Sequence, residues 1–333
     1  MNLTATIPAL ALCASLCLAA PDARAQMFKD MALESLHVAG KSAELQRLAT
    51  QRLAAQADDV QAVLALAVTA LASSDAGARQ TALARAEACV QRLPQAAACH
   101  FALGTVLGVQ AMSDGMLKAA RSAGTVKTAL QQAQSLEPGW YPARSALVEF
   151  YLVAPGMMGG STSKATELAV GAPVPEQARA LQARVALQDG KAETALATLT
   201  SLLTVSDSEL ADDVRQWGAQ AAFNLVNNGQ APKAAAYFER LSRERPGHAQ
   251  GPYGLARVRT EAGALDEAIR LFELSATLKG ADSLPIDYRK GIALQSAGRN
   301  DAARAAFKSY LAAGKGQKSS MDEARKRLEQ LGG

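Results

Sequence analysis

The sequence predicts an all-α protein, an α-solenoid of helix-turn-helix repeats that ends in a polar C-terminal capping helix. The first observation is compositional, because 49% of the residues are hydrophobic but only 5% are aromatic. Such a core must be built from Ala, Leu and Val, and alanine is favoured in helices and depleted from strands. The second is a glycine, an alanine and a phenylalanine that recur at one interval. The third is the polar final stretch SSMDEARKRLEQLGG, which is suited to closing a repeat array.

Residues 1–25 are predicted to be a secretory signal peptide. The apolar segment Ile7 to Ala20 is too short to span a bilayer, and the tripeptide Ala-Arg-Ala at 23–25 supplies the small-x-small pattern of a cleavage site. We expect cleavage after Ala25 and a soluble protein in the bacterial periplasm. No Lys or Arg precedes the apolar segment, so the alternative is a cytosolic protein that begins at Met27.

Cysteine usage supports export. Cleavage would remove Cys13 and Cys17, and each of these follows a leucine rather than the small residue that a lipid-anchoring signal requires. Cys89 and Cys99 then remain, and an even pair in an oxidising compartment is a candidate disulfide. The alternative is a pair of small buried thiols.

Three units in the C-terminal half share one register. Their turn glycines are 34 and 35 residues apart, and the alanine and phenylalanine that follow each glycine keep the same intervals. Glycine ends a helix by adopting the left-handed conformation at little cost. The alanine allows close helix contact, and the aromatic ring four residues later lies on the same face. The three sets are Gly229, Ala234 and Phe238; Gly263, Ala268 and Phe272; and Gly298, Ala303 and Phe307.

The register extends towards the N-terminus with more variation. Gly190 and Gly77 are assigned as turn glycines of earlier units, a weaker unit surrounds Gly40, and residues 111–124 are interpreted as an insertion. The predicted array covers residues 26–316 and contains about six repeats.

The remaining residues, 317–333, are predicted to form the capping helix. A capping box of Ser320 and Glu323 is expected to open it, since the serine and the glutamate can each satisfy a free N–H at a helix start.

The recurrent pattern resembles the tetratricopeptide repeat, a helix-turn-helix unit of about 34 residues. This resemblance implies that the inner face of the first helices forms a groove for a protein partner. Tyr and Arg on that face suit an extended or acidic segment, because Arg can pair a carboxylate through two hydrogen bonds. The alternative is an ordinary solvated face. The residues that the register places there are Arg184, Gln220, Asn227, Tyr253, Arg257, Glu261, Tyr288 and Arg289.

The stretch PGMMGGST belongs to an expanded turn at 154–162, between two helices of one repeat. Pro155 cannot continue a helix and the glycines permit a reversal of the chain, while Ser161 or Thr162 is placed to cap the next helix. Free N–H groups at a helix start beside a lysine can also hold an anion or a carboxylate. The candidate contact residues are Gly159, Gly160, Ser161 and Lys164.

Catalytic interpretations of this loop lack their companion motifs. A Walker A motif needs Gly-Lys-Ser/Thr, but Lys164 follows Ser163 and precedes Ala165. The S-x-x-K spacing from Ser161 to Lys164 is typical of serine acyl-enzymes, but S-D-N and K-T-G are absent. Exported bacterial tetratricopeptide proteins often carry a similar Pro-Gly-x-x-Gly-Gly-Ser/Asp insertion, and that resemblance implies a family-specific contact surface.

Charge and histidine spacing narrow the function further. The formal charge is +4, and Lys and Arg are interspersed with Asp and Glu along the chain rather than clustered. Nucleic-acid binding is therefore not expected. His37, His100 and His248 are far apart, so neither a metal site nor histidine-dependent catalysis is expected. We therefore expect no cofactor, no enzymatic activity, and a scaffold or adaptor that binds an extended segment or envelope protein. The alternative is a periplasmic small-ligand-binding or transporter-accessory protein, since exported tetratricopeptide proteins associated with TRAP transporters have a similar plan.

Overall fold

The computed structural model describes residues 26–73 and 75–332, so the predicted signal peptide lies outside the described residues. Within these ranges the chain is helical, apart from connections, two short 3-10 turns and one isolated bridge between His248 and Lys279. The all-α prediction is confirmed. The helices are α1 Met31–Val38, α2 Ser42–Ala55, α3 Val60–Ala72, α4 Ala76–Arg92, α5 Ala97–Ser113, α6 Met116–Leu136, α7 Tyr141–Val153, α8 Thr162–Val170, α9 Pro175–Gln188, α10 Ala192–Ser201, α11 Ser208–Asn227, α12 Ala231–Glu244, α13 Gln250–Glu261, α14 Leu265–Ala276, α15 Ile286–Ser296, α16 Asn300–Ala313 and α17 Lys318–Gln330.

In the part of the chain that the structure describes, α1 to α16 follow one another as eight helix pairs, where the sequence pattern counted about six repeats. The first helices of successive pairs also touch, with contacts from α7 to α9, α9 to α11, α11 to α13 and α13 to α15. Stacking through the first helices is the architecture of a solenoid, in which each unit completes its core with its neighbours.

The recurrent residues occupy the positions that their chemistry predicts. Gly229, Gly263 and Gly298 all have positive φ, at 74°, 74° and 73°, and each directly follows the first helix of its pair. The alanines and phenylalanines of the pattern are fully buried. Phe238 packs so closely on the next first helix that a Cβ added to Gly254 would lie 2.1 Å from its ring. The register is therefore a packing pattern between consecutive helices.

The assignment of Gly77 as a turn glycine is wrong. Gly77 lies inside the first turn of α4, and its N–H donates to the Asp75 side chain at 2.8 Å. Asp75 is the N-cap of this helix, so a polar cap starts α4 before the glycine is reached. Gly40 and Gly190, by contrast, have the expected positive φ.

The interpreted insertion at 111–124 lengthens two helices. It extends the C-terminal end of α5 and the N-terminal end of α6, which are 17 and 21 residues long. The reversal between them is made at Gly115, whose φ is 98°.

The final helix is present, but its start differs from the prediction. α17 begins at Lys318 after the N-cap Gln317, so Ser320 lies within the first turn and makes no capping bond. Glu323 instead forms an ion pair with Arg327 at 2.9 Å, one turn later. Only Ala324 and Leu328 are buried, and α17 packs on α16. The remaining face of the helix is polar.

The segment before α1 is part of the core. Phe28 is buried, and the carbonyl of Gln26 accepts a hydrogen bond from Trp140 Nε1 at 3.0 Å. Further along, His37 Nε2 lies 2.8 Å from Glu209 Oε1 on α11. The hydrogen bond to Glu209 raises the pKa of His37. The first helix pair therefore contacts the sixth, and the array curves back on itself.

A covalent link joins the second helix pair to the third. Cys89 on α4 and Cys99 on α5 form a disulfide with a Cα–Cα distance of 5.5 Å. Both residues are buried between the two helices.

Candidate ligand-binding groove

A concave site in the C-terminal part of the array has a volume of about 810 Å³. It lies among α11, α13, α15 and α16, with the segment 281–287 and the start of α17 along its edge. The side chains that dominate its chemistry are Phe223, Tyr253, Arg257, Arg289, Tyr310 and Lys315.

Arg257 is held in one orientation by α11. Its Nη2 donates to Asn227 Oδ1 at 2.8 Å, and its guanidinium lies 5.6 Å from the centre of the Phe223 ring. Tyr253, one turn earlier on α13, packs edge-on against the same ring at 5.7 Å. Burial, and next the positive charge of Arg289, hold the pKa of Arg257 below its ordinary value. The two arginines are therefore close enough to repel each other.

Arg289, unlike Arg257, has a buried side-chain nitrogen without a hydrogen-bond partner. Its guanidinium lies 5.1 Å from the centre of the Tyr288 ring, and Tyr288 in turn stacks on Tyr310 with ring centres 5.3 Å apart. Its Nε is buried without a hydrogen-bond partner. A buried donor left unpaired costs about 1–3 kcal/mol.

The two carboxylates that line the groove belong to Asp287, which has partners within the protein, and to Asp282, which is exposed. Asp287 accepts from Ser309 Oγ at 2.6 Å and lies 3.6 Å from Lys290 Nζ. Asp282 is exposed at the edge, as is Lys315. The interior of the groove thus combines aromatic surface with two guanidinium groups, a combination that suits carboxylates next to apolar or aromatic side chains.

The structure places the predicted groove residues in three groups. Tyr253, Arg257 and Arg289 line the groove. Asn227 and Tyr288 support the two arginines from behind. Arg184, Gln220 and Glu261 do not line it.

Arg184 already has an internal partner. Its Nε and Nη2 pair with both carboxylate oxygens of Glu149 on α7, at 2.6 and 2.9 Å. The guanidinium is buried, so this pair joins two helix pairs of the array. Gln220 is exposed on α11.

Sequence reasoning missed Phe223, Tyr310 and Lys315. Phe223 was detectable, because it precedes Asn227 by four residues and therefore shares its helix face. Tyr310 belongs to a second helix, and Lys315 to the connection before α17, so the first-helix register had no means of finding them.

The glycine-rich loop is a turn whose amides are used internally. Ser161 N–H donates to Tyr151 O at 2.8 Å, and Gly160 N–H to Pro155 O at 3.1 Å. Gly159 has a φ of 95°, and its N–H donates to Gly156 O at 3.0 Å. These three N–H groups are thus unavailable to an anion unless the turn opens.

Ser161 and Lys164 make their contacts with neighbouring residues of the turn and its helices. Ser161 is the N-cap of α8, and its Oγ accepts from Lys164 N–H at 3.4 Å. Lys164 Nζ lies 5.8 Å from the centre of the Tyr151 ring. The serine hydroxyl thus serves as a helix cap, while the lysine ammonium rests against an aromatic face.

Residues 26–73 and 75–332 contain no group of three or more His, Cys, Asp or Glu side chains arranged to hold a metal ion. None of the helices in these ranges is long and apolar enough to cross a membrane.

The helix pairs, their stacking and the concave site define an α-solenoid repeat protein. Residues 225–276 match the family model described as tetratricopeptide repeat, so this segment of the chain is similar to tetratricopeptide repeats. No curated protein sequence matches the chain significantly. Tetratricopeptide arrays are generally scaffolds for protein–protein interaction rather than catalysts.

Solved structures share the fold at low identity. The hetero-tetramer Cut9–Hcn1 of the APC/C is 13% identical with a TM-score of 0.51, over 90% of this chain and 54% of that one. A monomeric mutant of IFIT1 with Gppp-AAAA is 14% identical with a TM-score of 0.56, over 82% of this chain and 62% of that one. The human IFIT1 dimer with PPP-AAAA is 14% identical with a TM-score of 0.54, over 82% and 63%. The chain therefore spans between about half and two thirds of the length of these neighbours.

Proposed function

We propose that this protein is a non-enzymatic scaffold or adaptor of the bacterial cell envelope that binds an acidic, extended segment of a partner protein in the groove. The observation that carries the proposal is the pair Arg257 and Arg289. Both side chains line the groove, and the positive charge of Arg289 lowers the pKa of Arg257. A carboxylate bound in the groove would offset the two positive charges and could accept hydrogen bonds from the guanidinium groups.

Location in the periplasm is part of the same proposal. Its support is the leader-like composition of residues 1–25 together with the disulfide between Cys89 and Cys99, since disulfides persist in oxidising compartments. Expression of the full chain in a bacterial host, followed by N-terminal sequencing of the protein in the periplasmic fraction, tests it. The expected first residue is Gln26, whereas recovery of the intact N-terminus from the cytosol would contradict export.

The binding test uses a defined acidic probe. Fluorescent hexaglutamate is titrated into the wild-type protein, with hexalysine as the probe of opposite charge. The double variant Arg257→Gln/Arg289→Gln removes both guanidinium groups. Arg243→Gln is the matched control, because Arg243 is exposed on α12 outside the groove. We expect the double variant to weaken hexaglutamate binding by roughly 100-fold or more, since it removes two groups whose charged hydrogen bonds contribute about 1.5–3 kcal/mol each.

Equal binding by the double variant and the control would show that only net charge matters, and the proposal would fail. A pull-down from periplasmic extract with the same three proteins then identifies the partner. The partner is expected to bind the wild type and Arg243→Gln but not the double variant.

A small ligand is the second candidate, because a volume of about 810 Å³ lies within the roughly 300–1,000 Å³ of small-molecule pockets. Native mass spectrometry of the purified protein distinguishes the two. A bound species of a few hundred daltons that disappears in the double variant would favour the transporter-accessory function over the adaptor.

A further inference from the structure

A second cavity, of about 210 Å³, lies where the connections α12–α13 and α14–α15 meet. It is distinct from the groove, although Ser283 and Leu284 contribute to the walls of both. The ionisable side chains that line it are Arg215, Arg245, His248 and Lys279, and no carboxylate is among its lining residues.

Hydrogen bonds of the main chain fix the backbone at two of these residues, His248 and Lys279. Lys279 N–H donates to Gly247 O at 3.0 Å, and Ala249 N–H donates to Lys279 O at 3.0 Å. These two hydrogen bonds form the bridge between His248 and Lys279. The positions of His248 and Lys279 are thus determined by main-chain contacts between two connections.

The charges around this cavity are poorly compensated. Arg215 pairs with Asp212 on its own helix. Among the residues that the structure describes, Arg245 and Lys279 have no acidic group within ion-pair distance. Burial, and next the positive charge of Arg245, lower the pKa of Arg215 to about 10. The pKa of His248 is lowered by burial and then by Arg245, Lys279 and Arg215, so every charged neighbour that shifts it is a cation.

The N-terminus of α13 adds to the positive electrostatic potential of the cavity. Gln250, which also lines the cavity, is the first residue of the 12-residue helix α13. The N-terminus of a helix carries about half a positive charge from the aligned peptide dipoles. The cavity therefore combines side-chain cations with the positive end of a helix, and its volume of about 210 Å³ corresponds to roughly seven water molecules of ~30 Å³ each.

We propose that this cavity is a binding site for a tetrahedral oxyanion of the phosphate class. Guanidinium groups offer planar sets of donors that match phosphate oxygens, and Lys279 adds a mobile point charge at the exposed side. A divalent anion would neutralise the repulsion among Arg215, Arg245 and Lys279. The same chemistry is offered by free inorganic phosphate and by a phosphoryl group on a larger molecule.

The test is a calorimetric titration of inorganic phosphate into protein purified from expression of the full chain, at constant ionic strength. Lys279→Gln removes one exposed cation with little risk to folding, and Arg245→Gln/Lys279→Gln removes two. Arg243→Gln, two residues from Arg245 and outside the cavity, is the matched control. We expect roughly 10-fold weaker binding for the single variant and 100-fold for the double variant, with wild-type affinity for the control.

A second readout follows His248 itself. Nuclear magnetic resonance of the imidazole is expected to show a rise in the His248 pKa when phosphate is added, because the bound anion offsets the three cations. Equal phosphate affinity in all four proteins, or no saturable binding by the wild type, would overturn the proposal. Tighter binding of the carboxylate malonate than of phosphate would overturn the assignment to the phosphate class.

Phenyl phosphate distinguishes the sources of the anion. If it binds as tightly as inorganic phosphate and shows the same losses in the variants, the site accepts a phosphoryl group attached to a larger molecule. If only inorganic phosphate binds, the site is specific for the free ion. Either result supports the proposal.

Discussion

The Tyr141 hydroxyl donates a hydrogen bond to Asp213 Oδ2 at 2.7 Å, across an interval of 72 residues. Ser145 Oγ donates to the same oxygen at 2.6 Å. Asp213 lies on α11 and both donors lie on α7, so this network joins the fourth helix pair to the sixth. A carboxyl group with a raised pKa makes the stability of the array depend on pH.

Stability is expected to fall as pH rises from about 4 to about 7. Burial raises the pKa of Asp213 from 3.8 to about 7, against the opposing effect of its two hydrogen bonds. Between those values the folded state holds a proton that the unfolded state has lost, and the proton stabilises the folded state. Asp213→Asn keeps an acceptor and cannot ionise, so it should flatten the dependence of Tm on pH. Asp322→Asn on the exposed α17 is the control, and an unchanged profile in Asp213→Asn would refute the assignment.

Residues 26–38 are expected to unfold cooperatively with the part of α11 that they contact. Phe28 is fully buried, and truncation of a buried phenylalanine to alanine costs about 3–5 kcal/mol. Hydrogen exchange in Phe28→Ala should accelerate in α1 and also at the start of α11, because His37 and Glu209 join the two. Met31→Ala, at a position that is 69% exposed, should change neither region. Acceleration confined to α1 would contradict the coupling.

Gly160 is expected to be required by the turn before α8. A Cβ at this position would lie 1.7 Å from Ala154 O, so Gly160→Ala must displace the backbone. Overpacking of this kind costs about 1–3 kcal/mol. Gly156→Ala in the same turn is the matched control, since its Cβ would meet nothing within 4 Å. Thermal unfolding of the two variants provides the comparison, and equal Tm values would disprove the steric argument.

Reduction of the disulfide is expected to destabilise the protein. The closed loop between Cys89 and Cys99 is short, with a sequence separation of 10, and the chain-entropy model gives about 2–3 kcal/mol for such a loop. The Tm of the wild type should therefore fall on addition of a phosphine reductant. The double variant Cys89→Ser/Cys99→Ser should have this lower Tm from the start, and its Tm should not change when the reductant is added. A wild-type Tm that is insensitive to full reduction would rule out a stabilising role.

Local chemistry explains what could be predicted from the sequence. The positions of Gly263, Ala268 and Phe272 depend on a helix end and on contacts between adjacent helices, which are within about 35 residues of one another. Such contacts recur in every unit, so the residues that make them recur at a regular interval in the sequence. At Gly77 and Ser320 the helix begins before the predicted position. The side chain of Asp75 caps α4 two residues before Gly77, and α17 begins after Gln317, which makes no side-chain capping bond.

The amino-acid sequence by itself determined the all-α class, the helix-turn-helix unit, and the placing of Tyr253, Arg257 and Arg289 on one series of first helices. Only the tertiary structure decided that Arg184 is neutralised by Glu149, that Phe28 is buried against the array, and that three cations and His248 share one cavity. The physical reason is that small rotations between successive helix pairs add up along a solenoid. Which residues of different helix pairs come into contact depends on these rotations, and no single repeat encodes them.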